Sequence, residues 1–136
     1  MVKDSQPIRS CSFSPDNDNI FVIGTNSKSL KFCRLPVSGT LDYQDGYTVD
    51  YSQPISTVLD LQDYHDGSIY CIDWSKQSRL VATGSNDKMI KIMVAPAFSG
   101  EESGSSRTSS EDIIQLELAG HKGVVRTVVF NPVEPR

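Results

Sequence analysis

The sequence predicts an all-β chain assembled from a repeated unit of short antiparallel strands. Three observations predict it. The stretch HDGSIYCIDWSKQSRLVATGSNDKMIKIM, residues 65–93, holds three short runs rich in β-branched and aromatic residues, at 69–74, 80–83 and 89–93, with Ser, Gly, Asn, Asp and Lys between them. The same phrase stands earlier at residues 7–33, PIRSCSFSPDNDNIFVIGTNSKSLKFC, where Gly24-Thr25-Asn26-Ser27-Lys28 aligns with Gly84-Ser85-Asn86-Asp87-Lys88. Its opening returns once more in GHKGVVRTVVFNP, residues 120–132. Ile8, Ile69 and Val125 mark one phase, spaced by about 61 and 56 residues, and Phe13, Trp74 and Phe130 fall in step with them.

Each element follows from local chemistry. Residues 1–6 read as a flexible lead-in. Strand a of the first unit is 8–13, and Ser14-Pro15-Asp16-Asn17-Asp18-Asn19 supplies the Pro and Asx residues of a turn. Strand b is 20–23, residues 24–28 turn again, and strand c is 29–33. Apolar side chains occupy both faces of these strands, as expected of sheets stacked face to face. Residues 35–54 break the pattern with Pro, Gly and Asp and read as a long surface loop between strands c and d. Its Tyr43, Tyr47 and Tyr51 either pack on the exterior of the unit or form a docking loop. Strand d at 55–61 completes a unit spanning 7–61.

The second unit spans 65–118. After its strands a, b and c comes a Ser/Gly/Glu-rich loop, 95–112, with little to bury and the composition of disorder. Ile114, Leu116 and Leu118 then alternate with Gln115 and Glu117 as a period-two strand d. Residues 120–136 open a third unit, with 125–130 as its first strand.

These marks together resemble the WD-repeat β-propeller family. They are His121 after Gly120, the Val/Ile-x-x-Val/Ile-x-aromatic strand, Ala82-Thr83-Gly84-Ser85, and Asp87 in the second turn. The Trp-Asp pair that names the family is absent from its places, Cys33-Arg34 and Met93-Val94. Within the family, GTNSKSLKFC, HDGSIYCIDWS and VATGSNDK resemble the nemitin branch of neuronal microtubule-associated scaffolds.

The resemblance implies a partial WD-repeat β-propeller, with two four-stranded blades plus the first strand of a third. A ring closes with about four to eight blades, so this chain cannot close alone. It is expected to be a segment of a longer protein; the other reading is a short product that pairs with itself or with a partner. Apolar surface is expected on both outer blade faces. The resemblance also implies a structural network in which His65 reaches Asp87 and Thr83, with Met93 where a Trp would complete it. His121 repeats the place of His65, and recurrence favours architecture over catalysis. The first blade has Asp4, Ile23 and Ser27 at the matching places, lacks the network, and is expected to be the weaker blade.

Composition narrows the function. The chain has 136 residues and a formal charge of −4, without a Lys/Arg cluster, which argues against nucleic acid. It has no apolar run long enough to span a membrane, and its start lacks the apolar core of a secretory signal. Cys11, Cys33 and Cys71 lie in strands without CxxC spacing and read as buried reduced thiols. Nucleophile elbow, phosphate loop, HExxH and paired carboxylates are all missing. The expectation is a non-enzymatic chain with no cofactor, no metal and no small-molecule substrate.

What remains is a binding surface on the end formed by the d–a and b–c loops. Its candidates are Gln6, Asn26, Lys28, Asp66, Ser68, Asn86, Lys88, Lys122 and Val124, weighed against their being plain solvated loop residues. Ser99 and Ser109, each with an acid three residues on, are candidate phosphosites. The expected function is a non-catalytic protein–protein interaction scaffold in the cytoplasm, linked by resemblance to the microtubule cytoskeleton. The alternatives are a substrate-receptor or signalling adaptor reading a short peptide motif and, more distantly, a chromatin-associated chain.

Overall fold

A computed structural model of the chain describes residues 6–16, 19–42, 46–49, 52, 54–96 and 115–132. Ten strands follow in order: β1 (Ile8–Phe13), β2 (Ile20–Thr25), β3 (Leu30–Arg34), β4 (Val37–Asp42), β5 (Gly46–Val49), β6 (Ser56–Leu61), β7 (Ile69–Trp74), β8 (Leu80–Ser85), β9 (Ile90–Val94) and β10 (Gln115–Leu118). They form two four-stranded antiparallel sheets, β1-β2-β3-β6 and β10-β9-β8-β7, and a two-stranded sheet, β4-β5. Each four-stranded sheet is one blade, meandering from an inner strand a to an outer strand d.

The two blades share a register irregularity. Ile8 pairs with Thr25 and Ser10 with Gly24, which leaves Arg9 as an extra residue on β1. In phase with it, Ile69 pairs with Ser85 and Cys71 with Gly84, which leaves Tyr70 extra on β7. A bulge of this kind bends the strand and re-aims the side chain it carries.

The blades stack through β1, β2 and β7. Ile20, Val22, Leu30 and Phe32 of the first blade form one core with Tyr64, Ile69, Trp74, Val81, Met93 and Ala95. Trp74 meets Phe32 edge to face with ring centroids 5.6 Å apart, a favoured aromatic geometry. Gly24 makes room for the approach. A Cβ there would stand 2.5 Å from Ile69 Cγ2. The contact repeats at the next blade position, where a Cβ on Gly84 would stand 2.5 Å from Val125 Cγ1.

Three expectations need correction. Residues 35–54 are not wholly a loop, because β4 and β5 pair there as an antiparallel hairpin. Val, Thr, Leu and Tyr supply its strand propensity, and its register is irregular between Ser38 and Asp42. Tyr43 and Tyr51 lie outside the described residues, and Tyr47 is described only as part of β5. The stretch 125–130 is not a strand. It crosses the second blade through Val125 N–H donating to Ser85 O (3.0 Å) and Phe130 N–H donating to the Asp73 carboxylate (2.6 Å), and no neighbouring strand among the described residues gives it a ladder.

The far face of the first blade is covered over part of its area. Phe21, Ile23 and Cys33 are buried there, with Leu35 and Ile55 packed against them. Phe13, opposite Phe21 on that face, is exposed, and Leu116 and Leu118 are exposed on the face of the second blade that lies away from the first, so apolar surface stands on both outer faces as expected; Ile8, Val124 and Val129 are exposed as well. Finally, Cys33 is buried but Cys11 is exposed, because β1 is an inner edge strand with only β2 as neighbour.

Candidate binding end and its histidine network

The d–a connections (62–68 and 119–124) and the b–c turns (26–29 and 86–89) meet at one end of the blades. Backbone hydrogen bonds lace them together. Asn26 N–H donates to Pro7 O (3.0 Å), Asn86 N–H to Ser68 O (3.2 Å), and His65 N–H reaches from the second blade to Lys28 O of the first (3.4 Å). Each b–c turn is closed by a hydroxyl at the end of strand b. Thr25 Oγ1 accepts from Ser27 N–H, and Ser85 Oγ accepts from Asp87 N–H. Lys28 and Lys88 complete these turns at φ 69° and 72°, a left-handed conformation in which Gly or Asn would be less strained.

Beneath this end the structure brings His65, Thr83 and Asp87 together. His65 is 1% exposed. Its Nδ1 lies 2.8 Å from Asp87 Oδ2 and its Nε2 lies 2.7 Å from Thr83 Oγ1. Asp87 also accepts from Asp66 N–H (3.0 Å) and Met89 N–H (2.9 Å), so one carboxylate ties the d–a loop, the b–c turn and strand b. Burial lowers the His65 pKa, and the hydrogen bond and charge of Asp87 only partly oppose this. The ring is therefore neutral, with Nδ1–H donating to the carboxylate and Nε2 accepting from the Thr83 hydroxyl. For Asp87, burial pushes the carboxyl up. The bonds from Met89 N–H, His65 and Asp66 N–H outweigh it and leave the pKa below the ordinary value.

Sequence reasoning missed the neighbours of this network. Lys91 Nζ donates to Tyr64 O (2.6 Å), lies over the Tyr64 ring and pairs with Glu117 on the outer strand (3.2 Å). Their signal was available, since Lys91 and Glu117 stand opposite each other in the β9–β10 register. Arg9 and Tyr70 were missed too. The Arg9 guanidinium lies 5.4 Å from the Tyr70 ring centroid, and its Nε–H donates to Asn26 Oδ1 (2.8 Å).

The other candidates fall as follows. Gln6, Asp66, Asn86, Lys88, Lys28, Lys122 and Val124 are exposed at this end, while Asn26 and Ser68 are half-buried. His121 is not drawn into a network. It is exposed, and no hydroxyl or carboxylate partners its ring among the described residues. In the first blade Ile23 offers no hydroxyl, and Ser27 Oγ lies 2.6 Å from Thr25 Oγ1 instead. Asp4, Ser99 and Ser109 lie outside the described residues. Among the described residues no group of His, Cys, Asp and Glu is arranged to hold a metal, and no helix is long and apolar enough to cross a membrane.

Comparison with known proteins supports the family that these repeats resemble. Residues 55–92 match the WD domain, G-beta repeat. The chain is 33% identical over 96 residues to the probable cytosolic iron-sulfur protein assembly protein Ciao1 of Aedes aegypti, an alignment covering 67% of this chain and 27% of that one. It is 31% identical over 72 residues to the probable cytosolic iron-sulfur protein assembly protein CIAO1 homolog of Nematostella vectensis, covering 53% and 20%. The crystal structure of RRP9 WD40 repeats superposes with a TM-score of 0.53 at 14% identity, over 90% of this chain and 29% of that one, a likeness of fold alone. The chain carries a WD repeat over residues 55–92 and is all-β, with two four-stranded sheets arranged as propeller blades. It spans about a quarter or less of the length of the curated relatives it matches.

Proposed function

We propose that the chain is a non-catalytic scaffold for protein–protein contacts, and a segment of a larger WD-repeat protein that binds through the d–a and b–c loop end. One observation carries this reading. The buried His65–Asp87–Thr83 network, with the backbone bonds between loops, holds exposed polar side chains in fixed positions at that end, as a recognition surface requires. The left-handed Lys28 and Lys88 add to it, since their side chains are kept where other residues would fit with less strain. The test is partner capture with substituted chains. Lys28→Glu and Lys88→Glu together should abolish recovery of a cross-linked partner, and Lys76→Glu at the opposite end should leave it intact. Equal recovery by both would place the binding surface elsewhere.

Two finer readings differ in support. Sequence similarity to proteins named for cytosolic iron-sulfur protein assembly favours a cytoplasmic assembly factor, with other proteins as its partners. The microtubule link rests on the nemitin-like motifs GTNSKSLKFC, HDGSIYCIDWS and VATGSNDK. Co-purification with assembly factors or with polymerised microtubules separates the two.

A further inference from the structure

The loop end carries a charge opposite to that of the whole chain. The formal charge of the chain is −4. At this end stand Arg9, Lys28, Lys88, Lys122 and Arg126 against Asp63 and Asp66, while the carboxylate of Asp87 is committed to His65. None of Lys28, Lys88, Lys122 and Arg126 has a side-chain hydrogen bond or ion pair among the described residues.

The bulges give this charge a geometry. Arg9 and Tyr70 are the extra residues of the two in-phase bulges on the inner strands. Arg126 follows Val125 as Tyr70 follows Ile69, and Val125 occupies Gly84 as Ile69 occupies Gly24. Three successive blade positions therefore present Arg, Tyr and Arg at one place beside the loop end. The Arg9 guanidinium is already oriented, its Nε–H given to Asn26 and its plane beside the Tyr70 ring, which leaves its terminal N–H groups for a ligand.

We propose that this end binds acidic peptide segments, with Arg9 and Arg126 gripping carboxylates on either side of Tyr70. A planar fork of N–H donors matches a carboxylate, and the surrounding lysines steer a negatively charged segment toward it. The acidic remainder of the chain repels an extended polyanion, which favours a short peptide over nucleic acid. The inference deepens the scaffold reading and rests on it.

The test is fluorescence anisotropy of the full chain with a labelled Glu-rich peptide, a Ser-rich peptide of equal length and a single-stranded DNA oligomer. The Glu-rich peptide should bind, and Arg9→Gln and Arg126→Gln should each weaken it about tenfold. Arg9→Lys, which keeps the charge and loses the fork, should recover only part of the loss, and Lys76→Gln should change nothing. Far-ultraviolet circular dichroism and Trp74 emission identical to the parent chain show that each variant folds. Equal binding of the Ser-rich peptide, no binding of the Glu-rich one, or tighter and steeply salt-dependent binding of the DNA would each overturn the inference. A chain that still captures its partner through Lys28 and Lys88 while ignoring the Glu-rich peptide loses this inference and keeps the scaffold.

Discussion

Replacing His65 with Ala tests the role of the buried network. The ring is 1% exposed and makes two side-chain hydrogen bonds, to Asp87 and to Thr83. Its loss leaves the Thr83 hydroxyl with Lys91 O at 3.4 Å, a long contact, and removes one donor from a carboxylate that keeps Asp66 N–H and Met89 N–H. Leaving buried partners short of a hydrogen bond costs about 1–3 kcal/mol. The hole left by the ring adds a cavity term of similar size. We therefore expect His65→Ala to destabilise the chain by about 3 kcal/mol, a large share of the ~5–15 kcal/mol typical of a folded domain. Trp74 is the single tryptophan and lies at the blade–blade contact, so its emission during urea unfolding reports the change directly. Asp66→Ala is the control, because Asp66 contributes its backbone N–H and its side chain is exposed; it should shift stability by less than about 0.5 kcal/mol. A His65→Ala loss below about 1 kcal/mol, or one matched by Asp66→Ala, would refute the reasoning.

Acidification should act on the same network in two stages. The folded-state pKa of His65 is lowered, so unfolded chains take up the proton first, and stability falls as pH drops below the unfolded value of about 6.5. The pKa of Asp87 is also lowered, and a second loss begins as pH drops below its unfolded value of about 4. Urea midpoints between pH 8 and pH 3 check both, and a flat profile through the first stage would show that His65 is not buried neutral. Gly24→Ala should cost about 1–3 kcal/mol, because the new methyl meets the buried, β-branched Ile69, and calorimetry would register it. Lys88→Gly should leave stability unchanged or raise it by about 1 kcal/mol while weakening partner capture; capture as strong as the parent's would make the lysine a turn residue only. Hydrogen exchange should show β1–β3 less protected than β7–β9, since the first blade lacks the network, and the reverse order would remove that argument.

Much of this was legible in the sequence because it depends on local rules repeated in phase. Trp74 and Phe13 could be aligned, Gly24 and Gly84 fell together, and the family resemblance implied that His65, Thr83 and Asp87 form one cluster. What was not legible depends on neighbours. A bulge is a slip of one residue against a partner strand, and nothing in the identity of Arg9 or Tyr70 announces it. The hairpin β4-β5 was hidden by the Gly and Asp residues that stand among its strand formers. The stretch 125–130 has strand-forming residues, yet a strand exists only beside another strand. The alternation of Leu116 and Leu118 marked β10 correctly but not its exposure, because the side that they share with Ile90 and Ile92 lies away from the first blade.

The most direct measurement is the hydrogen-exchange footprint of a bound protein partner on this chain. Protection confined to residues 6–9, 26–28, 62–68, 86–88 and 121–126 is the predicted result. Protection centred on the a–b turns or on the β4-β5 hairpin, with the loop end unchanged, would contradict it.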